Sequence, residues 1–117
     1  FKIIEKEKPA KIFTHSSEDP HPNHRAVHKI SLDLLEKLKL KPELYIYSVW
    51  NPVSLKTEYP SLYIDITKTF ILKIKALRLF RSQKIHVAYP LFLSFFRALI
   101  EGFKIKTRFA EKFFRIR

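Results

Sequence analysis

The chain has 117 residues, 46% of them hydrophobic and 15% aromatic, which is enough for one small packed domain and too apolar for a disordered segment. It contains no cysteine, which excludes a disulfide framework, a zinc ribbon and a thiol nucleophile, so any metal must rest on histidine and carboxylate. The net charge of +12 is uneven: residues 1–67 carry ten Lys/Arg against nine Asp/Glu, and residues 68–117 carry thirteen against two.

In chain order, residues 1–8 alternate apolar pairs with Lys and Glu and read as the end of a helix that Pro9 stops. Ala10 to Thr14 (AKIFT) is short, apolar and partly β-branched, as expected for an inner strand of a parallel sheet. The loop from His15 to His21 follows its carboxyl end, the place where open α/β sheets bind their ligands. Within that loop His15 reads as a solvated residue without a role, and Ser16, Ser17, Glu18 and Asp19 read as ordinary loop and cap chemistry.

The loop closes on Asp19-Pro20-His21-Pro22-Asn23-His24-Arg25. Proline has no N–H and a fixed φ, so Pro22 suits the first helical position, with His21 just before the helix and His24 one turn in. The two imidazoles can then face one pocket. The helix is expected to run to about Leu40, with Val27, Ile30, Leu34, Leu35 and Leu38 on an inward stripe that His24 shares. His28 forms an i, i+4 pair with His24 but lacks the glutamate of an H-E-x-x-H arrangement, and it reads as a flank residue. Arg25 is placed to reach a substrate phosphate or, as the stronger reading, to pair with a carboxylate.

Leu44 to Trp50 (LYIYSVW) gives a second strand, Asn51-Pro52 turns the chain, and strand, helix and strand make one βαβ unit. Val53 to Leu62 reads as a loop or short edge hairpin, and Tyr63 to Ile66 as a third strand. Thr67 is expected to cap a helix from Lys68 to about Ser82 that buries Phe70, Ile71, Ile74 and Leu77, with Gln83 a polar residue at its end. Leu91 to Phe103 is apolar nearly all round, so it is either buried between layers or set against something apolar, such as a membrane interface or another subunit. Gly102, the only glycine, sits where that helix should stop, and residues 104–117 alternate charged and apolar residues as a final edge strand would.

The stretch from Asp19 to Val27 resembles the second signature, of the form H-P-D-H-R-A, of the LmbE/PIG-L zinc-dependent de-N-acetylases. Two further stretches are similar to that family: Tyr63-Ile64-Asp65-Ile66-Thr67 with Lys73, Lys75, Ala76 and Arg81-Ser82-Gln83, and Phe109-Ala110-Glu111-Lys112-Phe113, which matches a closing Y-A-E-x-F. The resemblance implies the C-terminal portion of an LmbE-like fold: an α/β architecture with a Rossmann-like parallel sheet and flanking helices, residues 1–117 forming one partial domain. It implies zinc, with His24 as the one ligand supplied by this chain and His21 as the oxyanion stabiliser or general acid. The family's A-H-P-D-D-E stretch, which supplies two zinc ligands and the general base, has no counterpart here, and the chain begins at Phe1 with no methionine. It therefore reads as part of a longer protein, with little or no activity alone. Asn23 stands where the family has Asp, so a neutral amide replaces the carboxylate that would tune His21.

The function implied is removal of the acetyl group from an N-acetylglucosaminyl substrate, free or lipid-linked, completed by an N-terminal segment or a partner chain. The alternative is a basic, non-catalytic module for nucleic acid or anionic lipid, since a field of this sign attracts phosphate. Its charges are spread over several elements, which favours a solvated lysine-rich surface and disfavours nucleic acid, and leaves peripheral membrane contact open. The longest apolar candidate, residues 87–100, is broken by Pro90, Ser94 and Arg97 and falls short of the roughly 20 residues a bilayer needs. With no signal peptide in view, the expected location is the cytoplasm.

Overall fold

The computed structural model describes residues 2–37, 41–47, 58–79 and 88–117, with residues 88–90 described through the backbone alone. The elements run α1 (Lys2–Glu7), β1 (Lys11–His15), α2 (Pro22–Lys37), β2 (Glu43–Tyr47), β3 (Ser61–Asp65), α3 (Phe70–Arg78), α4 (Ala88–Lys104) and β4 (Ala110–Arg115). This is a mixed α/β chain with a four-stranded sheet in the order β1-β2-β4-β3. It divides into two compact units, Phe1–Leu62 with Phe113–Arg117, and Tyr63–Lys112. The expected ends of the helices at Leu40 and Ser82, the strand residues 48–50, and Arg81-Ser82-Gln83 lie outside the described residues.

In the first unit Lys8 adopts φ 45°, a left-handed residue that ends α1 one position before Pro9. β1 and β2 pair in parallel from Lys11↔Glu43 to His15↔Tyr47, as the βαβ reading required. The core is Leu35 of α2 on Leu44 of β2, both essentially sealed from solvent, with Ile4, Ile12, Leu32 and Ile116 packed around them. Burying each leucine contributes about 1.5–3 kcal/mol. A polar link aligns α2 on β1: Ser31 donates to the Val27 carbonyl, so the buried Thr14 hydroxyl, 3.0 Å away, donates to Ser31 Oγ. The expected inward stripe is only half realised, because Val27 and Ile30 are exposed and the buried contacts come from Leu32 and Leu35. A 16-residue helix over a two-strand parallel pair covers that pair with its second half and leaves its first half to the loop.

The sheet departs from the all-parallel expectation at β4. It pairs antiparallel with β2 (Tyr45↔Arg115, Ile46↔Phe114) and lies between β2 and β3, so it is not an edge strand. Ala110 and Phe114 are buried. The charges that suggested an edge are accommodated by partners: Glu111 pairs with Lys73, and the Lys112 ammonium lies 5.6 Å from the Tyr63 ring centroid.

In the second unit Ile66, Phe70, Ala98 and Phe109 form the core, with Phe70 and Phe109 stacked at 4.0 Å and Ile74 and Leu99 against them. Thr67 does not cap α3; it receives the Phe109 N–H at 3.2 Å and donates to the Phe109 carbonyl, while Thr69 precedes the helix without a side-chain cap bond. Phe70 is buried and Ile74 and Leu77 half-buried, but Ile71 is exposed. Gly102 lies inside α4, not at its stop: a Cβ there would meet the Arg108 and Thr107 carbonyl oxygens at 2.8 Å, so glycine is required by close backbone approach. Lys106, at φ 59°, takes the left-handed position after the helix.

Candidate metal centre

The site lies at the carboxyl end of β1, within the first unit. A strand that ends in His15 sends the chain through Ser16–Asp19 and back into α2, so the buried Asp19 and the first turn of α2 return beside His15. The return is braced by local bonds. Asp19 Oδ1 accepts the His21 N–H at 2.9 Å, Ser16 Oγ accepts the Glu18 N–H at 3.2 Å, and Arg25 donates from Nη1 to the carbonyls of Asp19 and Pro20, each at 2.9 Å. Arg25 thus clamps the loop backbone, where the sequence favoured a carboxylate as its partner. His28, the expected flank residue, donates from Nδ1 to the His15 carbonyl at 2.8 Å and holds the end of β1 on α2.

His15, Asp19 and His24 each offer one ligand atom, and these atoms lie within 4.8 Å of one another. The rings of His15 and His24 stack at 3.8 Å, 4° from parallel. Three of their polar atoms, His15 Nδ1, Asp19 Oδ2 and His24 Nδ1, are buried and make no hydrogen bond. Buried polar atoms almost always find partners, so unsatisfied atoms on three residues that could each offer a ligand atom suit a cation. Two imidazoles and a carboxylate are the donor set zinc takes, and three protein ligands with an open position is the pattern of catalytic zinc sites. The chain therefore offers three donors where the sequence reading had His24 alone.

Tyr47, opposite His15 in the register, brings its hydroxyl to 3.5 Å from His15 Nε2, with ring centroids 4.9 Å apart. With Nε2–H donated to the phenol oxygen, the His15 lone pair lies on Nδ1, the orphaned atom. Burial holds the His15 imidazole below its ordinary pKa, with His24 and His21 acting in the same direction and Asp19 opposing. Burial, aided by Asp19, raises the Tyr47 phenol, which keeps it a neutral hydrogen-bonding group.

His21 is exposed at the rim, its ring 4.7 Å from that of His24. Its Nδ1 accepts the Asn23 N–H at 3.2 Å, so the neutral ring carries its proton on Nε2, where it can donate. The tautomer is set by the backbone of residue 23, not by its side chain, which lessens the weight of Asn replacing Asp. His21 and His24 are thus brought together as expected. Sequence reasoning missed His15, Asp19 and Tyr47; the available signal was that His15 ends a parallel strand, the position from which such sheets address ligands.

No family model matches the sequence, and no curated protein matches it. Among solved structures the chain is similar to the crystal structure of GalB, the 4-carboxy-2-hydroxymuconate hydratase from Pseudomonas putida KT2440, with a TM-score of 0.77 and 16% identity over 99% of this chain. That likeness shows the fold. The match covers 55% of the GalB chain, so this chain spans about half the length of the structure it matches.

Proposed function

We propose that the chain carries part of the active site of a metal-dependent hydrolase of the LmbE/PIG-L kind, which removes the acetyl group from an N-acetylglucosaminyl substrate. The observation that carries this reading is the cluster of three residues with ligand atoms within 4.8 Å of one another, each holding a buried atom without a hydrogen bond, beside an exposed histidine whose Nδ1 accepts a backbone N–H. The motif resemblance at Asp19–Val27 and the α/β fold support it. His15, Asp19 and His24 would hold the ion, and zinc is the metal their chemistry suits. The chemistry such an ion supplies is a water acidified toward neutral pH and a polarised carbonyl.

The chain's own residues would support that chemistry. Asp19 supplies negative charge in a buried place and orders the loop through its bond to the His21 N–H. Tyr47 and His28 fix the His15 ring and backbone. His21 would donate from Nε2 toward the oxygen on which charge builds as water adds to the amide carbon, and the proton that the water gives up would pass by way of the general base to the amine that leaves when the C–N bond breaks. The family's general base belongs to the stretch this sequence lacks, which is why the isolated chain is expected to bind metal but turn over little.

Acetate release from N-acetylglucosamine substrates, measured on the longest native chain containing these residues, tests the reading, with 4-carboxy-2-hydroxymuconate as the comparison substrate. His21→Ala should leave zinc bound and lower kcat by roughly a hundredfold or more. Zinc-independent activity, hydration without deacetylation, or full activity in His21→Ala would each overturn it.

A further inference from the structure

The second unit carries a surface unrelated to the metal centre. α4 buries Ala98, Glu101 and Gly102 on one side. On the opposite side Phe92, Phe96, Ile100 and Phe103 are 65%, 45%, 55% and 86% exposed. At 3.6 residues per turn these four positions form one continuous stripe along the helix. Phe92 packs on Phe96 with ring centroids 4.5 Å apart, which makes the stripe one apolar ridge. Contiguous apolar surface of this kind marks a binding face.

The charge around the ridge identifies what it meets. Lys104 ends the helix, and Lys106 and Arg108 follow on the exposed turn. Of the two carboxylates in residues 68–117, Glu101 is held by Lys104 and Glu111 by Lys73, so the region presents a strongly positive field. A second copy of the chain would bring an equal positive field against the first, which opposes self-association through this face. Rings packed on each other are also not presented singly, as stacking on bases requires. An apolar, aromatic face bordered by cations is the make-up of a helix that lies in a bilayer interface. Spanning is not at issue: no helix among the described residues is long and apolar enough to cross a membrane. We propose that α4 lays the Phe92–Phe103 ridge into the surface of an anionic phospholipid bilayer, with Lys104, Lys106 and Arg108 at the level of the phosphate headgroups.

Co-sedimentation of the 117-residue chain with vesicles tests this, using phosphatidylcholine alone and phosphatidylcholine mixed with phosphatidylglycerol. Partition into the anionic vesicles should be about tenfold stronger or more, and should weaken with added salt. The double variant Phe92→Ser/Phe103→Ser alters two exposed side chains and should abolish binding with an unchanged circular dichroism spectrum. Lys106→Glu/Arg108→Glu should abolish the preference for anionic lipid, and decides the matter alone if the serine variant fails to fold. No binding or equal binding to both vesicles by the parent chain, binding retained in the serine variant, or anionic preference retained in the glutamate variant overturns the proposal. A soluble dimer that the serine variant dissociates also overturns it, since a second copy would then be the occupant.

Discussion

His24 Nδ1 lies 2.9 Å from Asp19 Oδ1, yet the atom makes no hydrogen bond. Close approach without a hydrogen bond is how two ligand atoms sit when both lone pairs address a third centre. The His15 Nδ1 atom is orphaned in the same way. A salt bridge between the two side chains is the competing account, and it leaves Asp19 Oδ2 and His15 Nδ1 unexplained.

Substituting the three candidate donors separates these accounts. His15→Ala, Asp19→Asn and His24→Ala should each weaken zinc or cobalt binding by more than about a hundredfold, beyond what loss of an outer partner produces. His21→Ala should bind metal as the parent does. Titration against a chromophoric chelator, with the visible spectrum of the cobalt form, reads both. A parent chain that binds no metal would leave the histidine–aspartate contact as a salt bridge only.

Tyr47→Phe removes one oxygen and keeps the ring beside that of His15. If the phenol fixes the tautomer of His15, metal affinity should fall about 10- to 100-fold while the denaturation midpoint hardly moves. Unchanged affinity would mean that His15 Nε2 is held by solvent alone.

The His21/His24 pair was legible because Pro22 fixes the helix start, and with it the positions of both rings. His15 and Asp19 were not, since their approach depends on the chain leaving β1 and doubling back through Ser16, a closure that has no period in sequence. The βαβ unit was legible from the apolar runs of β1 and β2. The placement of β4 was not: alternating charge signals an edge only when the charges face water, and Glu111 and Lys112 instead find Lys73 and Tyr63. Gly102 has a plain reading as a helix stop, whereas its reason is the carbonyl of residue 108 passing close by.

That close approach makes Gly102→Ala a sharp test. In an open helix the change would stabilise by up to about 1 kcal/mol through backbone entropy. Here the added methyl meets two backbone oxygens at 2.8 Å, and neither belongs to a flexible side chain that can swing away. Net destabilisation of about 1–3 kcal/mol is expected in urea unfolding. A stabilised variant would show that the turn at residues 105–108 moves aside freely.

The last prediction concerns acid. Glu43 lies between Lys11, with which it pairs, and Arg115, whose Nη1 is 2.9 Å from Oε1, and it accepts the Tyr45 hydroxyl at 3.1 Å. The Lys11 hydrogen bond, then that of Tyr45 and the charge of Arg115, hold the Glu43 carboxyl below its ordinary pKa despite some opposing desolvation. Asp65 is lowered likewise, first by its bonds to Thr67. A carboxyl whose folded pKa lies below its unfolded value binds fewer protons folded, so stability is present above the unfolded pKa and is lost as pH falls through the folded one. Asp65 is exposed and Glu43 only half-buried, so solvent screening keeps the effect small. The share of the acid response due to Glu43 and Asp65 should therefore be absent from neutral pH down to the ordinary carboxylate range near 4.5 and appear below it. Glu43→Gln should shallow that response and leave the unfolding midpoint at neutral pH slightly lower. An acid limb identical in Glu43→Gln and the parent would show that the Lys11–Glu43–Arg115 contacts do not couple to folding.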